Sequence, residues 1–302
     1  MAQKAEFPRL VTTGQAANRP RARVIGAEKR PLNDIYHHLL TISWNRFIAF
    51  AALVYVAINL LFAALFMVDP GGVAGLRPGQ PADAFFFSIQ TFGTIGYGAM
   101  YPKDLWANLL VSVESFVGLG AVAVLTGLIF ARVSRPTARV MFSKVAVITP
   151  YEGVPTLIFR CANQRGNQIL EADITISLAH QVTTLEGLTM RRMEDMKPLR
   201  SRSPLLSLTW MITHRIDETS PLFGATPESL ALERGEVVVM LSGIDDVSAQ
   251  RIHARHSYVA SDIVWNRQLA DIIYLDEEGG RVVNYDQFHE LKPAPTDPSL
   301  PG

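Results

Sequence analysis

A single cysteine, Cys161, stands among 302 residues. No disulfide within the chain and no cysteine-built metal site can therefore form, and Cys161 reads as a small buried apolar side chain. Net charge is also lacking: 28 Lys and Arg balance 28 Asp and Glu, which removes any global attraction to nucleic acid. Metal-ligand spacing is missing as well. His37 with His38, and His253 with His256, have no acid or cysteine beside them at a ligand spacing, and they read as ordinary polar or partly buried histidines. No nucleophile–base pair stands out in residues 140–302, so an enzyme is not expected.

Charge is absent from two long windows. Phe47 to Val68 is a run of 22 residues with none, and Leu105 to Ala131 is a run of 27 with one, Glu114. About 20 apolar residues carry a helix across a bilayer core, so membrane spans are predicted at 47–68 and 105–131. The first begins too deep in the chain for a secretory leader and lacks a small-residue cleavage pattern. Between the spans, residues 69–104 hold two basic and three acidic residues, whereas Arg132, Arg135, Arg139 and Lys144 follow the second span with no acid among them. Positive charge stays cytoplasmic, which predicts both termini inside and 69–104 outside.

The outer segment contains Ala84-Phe85-Phe86-Phe87-Ser88-Ile89-Gln90-Thr91-Phe92, apolar but too short to span. A helix is expected over 83–92, either lying on the surface or re-entrant. Thr94-Ile95-Gly96-Tyr97-Gly98 follows directly. Non-helical backbone at membrane depth is tolerated only where it lines a water-filled path or is buried in protein. Gly96 and Gly98 make left-handed backbone angles cheap. Successive carbonyls could then point inward and replace the water around a dehydrated cation, with the Thr94 hydroxyl adding an oxygen at the inner end and Tyr97 turned away to pack on the short helices. One loop cannot surround an ion, so four chains are expected.

Four carbonyl-lined loops of this kind are the established arrangement of potassium channels, and this step rests on that precedent. With Asp34-Ile35-Tyr36-His37-His38-Leu39-Leu40, Phe130-Ala131-Arg132-Val133-Ser134-Arg135-Pro136, Ser220-Pro221-Leu222-Phe223-Gly224 and Ala254-Arg255-His256-Ser257-Tyr258, the chain resembles the bacterial branch of the inward-rectifier potassium channel family (KirBac) over about residues 34 to 290. The resemblance implies a membrane α plus all-β protein: a two-transmembrane-helix pore module with a re-entrant pore helix, followed by a cytoplasmic immunoglobulin-like β-sandwich. It also implies passive potassium conduction by a homotetramer in a bacterial inner membrane, gated by the cytoplasmic domain and anionic lipid. Potassium ions held by the filter carbonyls would be the only metal, with no organic cofactor. One departure concerns the filter's bracing. Gln90 and Met100 stand where many eukaryotic relatives have a Glu–Arg pair, so the filter loop must be braced otherwise.

Roles along the pore follow as expectations. Glu114, the only ionisable residue within either span, is expected behind the filter, with ion lining or a reach toward outer water as alternatives. Gly118 falls at the family's proposed hinge, or serves close helix packing instead. Val122 falls at the cavity position where strong rectifiers are acidic, which implies weak rectification. Phe130 is read as the gate, closing the path by excluding water, or as a lipid-facing ring. Residues 34–43 form an expected amphipathic slide helix, with Ile35, Leu39 and Ile42 on one face and Trp44 as interfacial anchor. Arg132, Arg135, Arg139 and Lys144 would attract anionic lipid, including phosphoinositide by family resemblance.

Beyond residue 140 the runs Val145–Ile148, Thr156–Phe159 and Glu236–Leu241 are β-prone. Leu170, Ala172, Ile174, Ile176 and Leu178 alternate with Glu171, Asp173, Thr175 and Ser177, which predicts a strand with one apolar face. Glu171, with Asp245 and Asp246 near a narrow girdle loop, is expected by resemblance to line a cytoplasmic vestibule. Expected domains are a flexible tail 1–33, the slide helix 34–43, the pore domain 44–137, the β-sandwich 138–291 and a flexible tail 292–302. The rival reading is a non-conducting two-span receptor with a ligand-binding β-domain.

Overall fold

A computed structural model describes residues 9–11, 35–77 and 79–294. Most of both expected tails, and Asp34 of the expected slide helix, lie outside the described residues. The chain divides into two compact units, Gly26–Arg135 and Pro136–Gly302 with Met1–Ile25.

In the first unit, helix α1 (Ile35–Thr41) is followed by α2 (Trp44–Phe66), strand β1 (Val73–Ala74), α3 (Pro81–Phe92), β2 (Tyr101–Pro102) and α4 (Leu105–Val133). At 1.5 Å per residue, the 23 residues of α2 and 29 of α4 extend about 35 and 43 Å, long enough to cross a hydrocarbon core of about 30 Å. Each helix begins where its chemistry allows. The Asp104 carboxylate caps α4 by accepting the Ala107 N–H at 2.7 Å. Pro81 opens α3, where its missing N–H would be unpaired in any case. The short strands β1 and β2 pair and tie the loop after α2 to the loop before α4.

Apolar contacts join the three longer helices: Phe62 and Phe66 of α2, Ala84 and Phe87 of α3, and Ala107 and Leu110 of α4. The Phe66 and Phe87 rings meet edge-on at 4.9 Å. Within α4 the buried residues are Ala107, Leu110, Glu114 and Gly118, a stripe at helical spacing that ends halfway along. The apolar remainder, including Leu119, Val122, Val124 and Phe130, is exposed on the single chain.

The second unit is a β-sandwich. Its strands are β3 (Val140–Phe142), β4 (Ala146–Tyr151), β5 (Val154–Asn163), β6 (Ile169–Thr183), β7 (Thr189–Met196), β8 (Arg202–Leu206), β9 (Thr209–Arg215), β10 (Glu236–Asp245), β11 (Arg251–Val259) and β12 (Ile263–Trp265), with helix α5 (Pro227–Leu232) before β10. One sheet runs β11-β10-β6-β7 with β8 also on β6; the other runs β12-β4-β5-β3 with β9 also on β5. Leu157 and Phe159 from one sheet meet Ile174, Ile176, Leu178, Val237, Val239, Leu241 and Tyr258 from the other in one core. Each such buried side chain contributes about 1.5–3 kcal/mol.

The expected alternation in β6 holds from Ala172 to Ile176; Ser177 beyond it is buried, bonded to Asp195, and the pattern slips before Ala172. Ile169 is buried and Leu170 turned out, because the register shifts opposite Ser242–Ile244 and Glu171 adopts φ +48°. This bulge inserts one residue and re-aims its neighbours. Gly243 is required here: a Cβ would sit 3.0 Å from the Leu170 carbonyl oxygen.

Two hairpin-like pairs finish the chain: β13 (Arg267–Leu269) with β16 (Leu291–Pro293), and β14 (Ile273–Leu275) with β15 (Arg281–Val283). The expected tail boundary at 292 therefore falls inside a paired strand, where Lys292 stands opposite Gln268. Buried Arg160 ties this segment down, donating to the carbonyls of Ala270 at 2.7 Å and Phe288 at 2.9 Å.

Candidate functional site

The stretch expected to act as a filter leaves α3 through Gly93, whose N–H bonds the Ile89 carbonyl at 2.9 Å. The Thr94 N–H then bonds Thr91 O at 3.1 Å and the Ile95 N–H bonds Gln90 O at 2.8 Å. From here every second residue is left-handed: Thr94 at φ +54°, Gly96 at +60° and Gly98 at +79°. For the β-branched Thr94 this is a rare backbone state, of the kind found at functional sites. No neighbouring atom lies within 4 Å of where a Cβ would stand on Gly96 or Gly98, so conformation alone demands glycine there. Tyr97 is 76% exposed on the single chain.

The helices α2, α3 and α4 share a polar cluster that neither span's composition announced in full. Glu114 of α4 is completely buried, and its Oε1 is hydrogen-bonded to the Ser88 hydroxyl of α3. Ser88 also reaches Asn59 Oδ1 of α2 at 3.1 Å, and Asn59 is oriented by donating to the Tyr55 carbonyl at 2.8 Å. One hydroxyl thus links all three helices. In the first turn of α3, Asp83 takes two guanidinium bonds from Arg77, at 2.8 and 2.7 Å, and the Arg77 N–H at 3.1 Å. These two clusters hold α3 at its first turn and through its second half. The legible signal for Asp83 was its place in the first turn of a helix; nothing in the sequence marked Ser88 or Asn59.

Gly118 is buried against the end of α3: a Cβ there would lie 2.6 Å from the Phe92 carbonyl oxygen. α4 runs unbroken through it. Val122 and Phe130 are 58% and 72% exposed on the single chain.

The basic residues divide into two kinds. Arg132 donates to the carbonyls of Leu39 and, at 2.7 Å, of Ile42, at the C-terminal end of α1. Its guanidinium also lies 4.6 Å from the ring centroids of both Trp44 and Phe47. Arg135 donates to the Leu40 carbonyl at 3.2 Å. Both therefore satisfy the open carbonyls of a helix end. Arg139 and Lys144, in the second unit, present exposed side chains.

Among the acids, Glu171 and Asp246 are exposed. Asp245 is not. It is buried and accepts from the Ser248 N–H at 3.0 Å, Asn167 Nδ2 at 2.8 Å, the Ser248 hydroxyl at 3.1 Å and the Val247 N–H at 3.2 Å. These donors, the Ser248 N–H foremost, hold its carboxyl at about 2. The expectation that Asp245 lines a vestibule is corrected: its carboxylate builds the β10–β11 turn.

Two long apolar helices flanking a short one, an alternately left-handed stretch after it, and a β-sandwich downstream are the architecture of a membrane-channel subunit. Comparisons with known proteins carry this to a family. The profile described as Inward rectifier potassium channel C-terminal domain matches residues 140–299, and one described as Ion channel matches residues 47–135. Inward rectifier potassium channel Kirbac3.1 of Paramagnetospirillum magnetotacticum is 41% identical over 96% of this chain and 98% of its own length. Human Inward rectifier potassium channel 18 is 29% identical, covering 89% of this chain and 67% of the relative. Human ATP-sensitive inward rectifier potassium channel 15 is 26% identical, covering 97% and 84%. The chain belongs to the inward-rectifier potassium channel family, a family of ion channels and not of enzymes.

Proposed function

We propose that four copies of this chain form a potassium-selective pore in a bacterial inner membrane, with both termini cytoplasmic and Thr94-Ile95-Gly96-Tyr97-Gly98 as the filter. The observation that carries the reading is the left-handed backbone at Thr94, Gly96 and Gly98. Alternating left- and right-handed residues turn successive carbonyls to one side of a strand, the arrangement that replaces an ion's hydration shell. Four such strands around one axis complete the coordination. The exposed apolar half of α4, and the groove beside it lined by Phe50, Val54, Tyr55, Gly120 and Leu125, would be covered by neighbouring copies and lipid.

In this assembly Glu114 stands behind the filter, held by Ser88. Val122 lines the cavity, where an uncharged side chain gives weak rectification. Phe130 narrows the inner end of the path, and Gly118 is a packing glycine that also permits bending. Arg139 and Lys144 offer free charge to anionic lipid or phosphoinositide headgroups, while Arg132 and Arg135 act chiefly by holding α1. Glu171 and Asp246 add negative charge to a cytoplasmic vestibule and concentrate cations. The matched families are ion-channel families, so the receptor alternative is not carried further. Purified protein in vesicles should pass potassium down its gradient, with block by barium; vesicles no leakier than protein-free ones would reject the proposal.

A further inference from the structure

The protons of the Asn59–Ser88–Glu114 cluster can be counted. All three side chains are 0% exposed. Because that burial is complete within one chain, neither a neighbouring copy nor lipid touches them, and every donor must come from the chain itself.

Ser88 Oγ lies 3.1 Å from Asn59 Oδ1 and is bonded to Glu114 Oε1. The Asn59 amide is fixed in its sense by the Tyr55 carbonyl, 2.8 Å from Nδ2. Turning the amide over would set two carbonyl oxygens against each other. The Asn59 oxygen therefore faces Ser88 and takes the one proton that a hydroxyl can give. Glu114 Oε1 then meets only lone pairs on the Ser88 oxygen. An ionised carboxylate has no proton to offer, so that contact would be oxygen against oxygen. It closes when the carboxyl supplies the proton.

Charge gives the same answer independently. Glu114 Oε2 has no hydrogen-bond partner. The charged or titratable side chains on the two helices packed against Glu114 are Arg46 and Tyr55 of α2 and Asp83 of α3. Arg46 lies in the first turn of α2, the Tyr55 ring packs on Phe92 at 5.4 Å, and Asp83 pairs with Arg77 at 2.7 Å. Arg132, near the C-terminal end of α4, bonds the carbonyls of α1. Among the described residues none of these cations pairs with Glu114. A buried carboxylate without a counter-charge is costly enough to take up a proton instead.

We propose that Glu114 stands as the neutral acid at neutral pH and starts a one-directional chain: its O–H donates to Ser88, the Ser88 O–H to Asn59, and the Asn59 N–H to the Tyr55 carbonyl. Each link then holds one proton, and α4, α3 and α2 are joined in series. Glu114 is a positioning residue, acting through Ser88 on the helix whose Gln90 carbonyl receives the Ile95 N–H at 2.8 Å. The proton assignment stands without the channel reading. Its consequence rests on that reading: Glu114 adds no fixed negative charge to the ion path and serves the filter through its hold on α3.

Infrared difference spectra of the full-length protein in lipid, parent minus Glu114→Gln, test the assignment. The parent should show a carboxylic-acid C=O band that the variant lacks, and Ser88→Ala should shift that band. Loss of carboxylate bands instead, or an acid band indifferent to Ser88, overturns the proposal. Gln places an N–H where the acid has its O–H, so Glu114→Gln should keep the unfolding midpoint within about 2 °C, whereas Glu114→Leu should lower it by about 4 °C or more. A Gln variant that melts as low as the Leu variant also overturns it. The potassium-to-sodium ratio should fall in Glu114→Leu and be restored in Glu114→Gln; an unaltered ratio in the Leu variant overturns the positioning role. A parent that shows the acid band but passes no potassium would contradict the channel reading and leave the proton assignment standing.

Discussion

The Arg132 guanidinium stands 4.6 Å from the Trp44 ring centroid and bonds the Ile42 carbonyl at 2.7 Å. A charge that topology alone would assign to the lipid surface is a joint between two helices. Its planar fork matters as much as its sign, because two carbonyls and two aromatic faces are served at once. Arg132→Lys should therefore shift the open fraction nearly as far as Arg132→Ala, losing about 1–3 kcal/mol of joint energy. Single-channel recording of both variants checks this; a lysine variant with parental gating would mean that charge alone matters.

Ser88 is the single bridge between Glu114 and Asn59. Ser88→Ala removes it; the hydroxyl has one proton to give, so the loss strands one buried acceptor at about 1–3 kcal/mol and opens the contact to the other. The expected outcome is a tetramer that dissociates at lower temperature on gels and a filter that discriminates less sharply between potassium and sodium. Parental heat resistance and selectivity would show that the cluster does not brace the filter.

Gly118 and Gly120 separate packing from flexibility. Alanine at 118 would place a Cβ 2.6 Å from a carbonyl oxygen, whereas at 120 it meets nothing within 4 Å. Gly118→Ala should cost about 1–3 kcal/mol of stability through the clash, and Gly120→Ala should be neutral or gain up to about 1 kcal/mol of helix propensity. Thermal stability of the two purified variants decides; equal behaviour would count against the close contact at Phe92.

Acid should loosen the sandwich. Burial pushes the His256 imidazole down to about 4, with Arg9 adding to the effect. Burial also lowers His214, whose ring nitrogens lie 2.8 Å from the Lys197 carbonyl and the Ser220 hydroxyl. The folded protein keeps His256 neutral, while the unfolded chain takes up a proton near the ordinary value of about 6.5. Stability is thus complete above that value and is lost as pH falls towards 4, by about 2 kcal/mol from His256 at pH 5. Tryptophan-fluorescence melts at about pH 7.5 and 5 measure it, and His256→Phe should flatten the difference. A melting point independent of pH in the parent would contradict the assignment.

The two long apolar helices and the short helix between them were legible because each is local. Charge-free runs and a length limit need no knowledge of distant residues, and neither do the two glycines whose positive φ the spacing suggested. The strand β6 was legible in the same way, from Ala172 to Ile176 by alternation. The slip at Leu170 was not, because it depends on Gly243 in a neighbouring strand. Asp245 misled for a similar reason: an acid in a turn looks solvated until Asn167 and Ser248 are brought to it. The motifs that pointed to the family at Ser220 and at His256–Tyr258 are core pieces. Ser220 bonds His214, Tyr258 lies 3.2 Å from Ser143 Oγ, and His256 stacks on Phe142.

The filter assignment is tested most directly by the potassium-to-sodium permeability ratio of the reconstituted protein, measured beside Gly96→Ala. A Cβ at φ +60° strains the backbone by about 1–2 kcal/mol and should misalign the carbonyls. The parent is expected to pass potassium in clear preference to sodium, and the variant to lose that preference or conduct nothing. Equal passage of the two ions by the parent, or an unaltered ratio in the variant, would contradict the account.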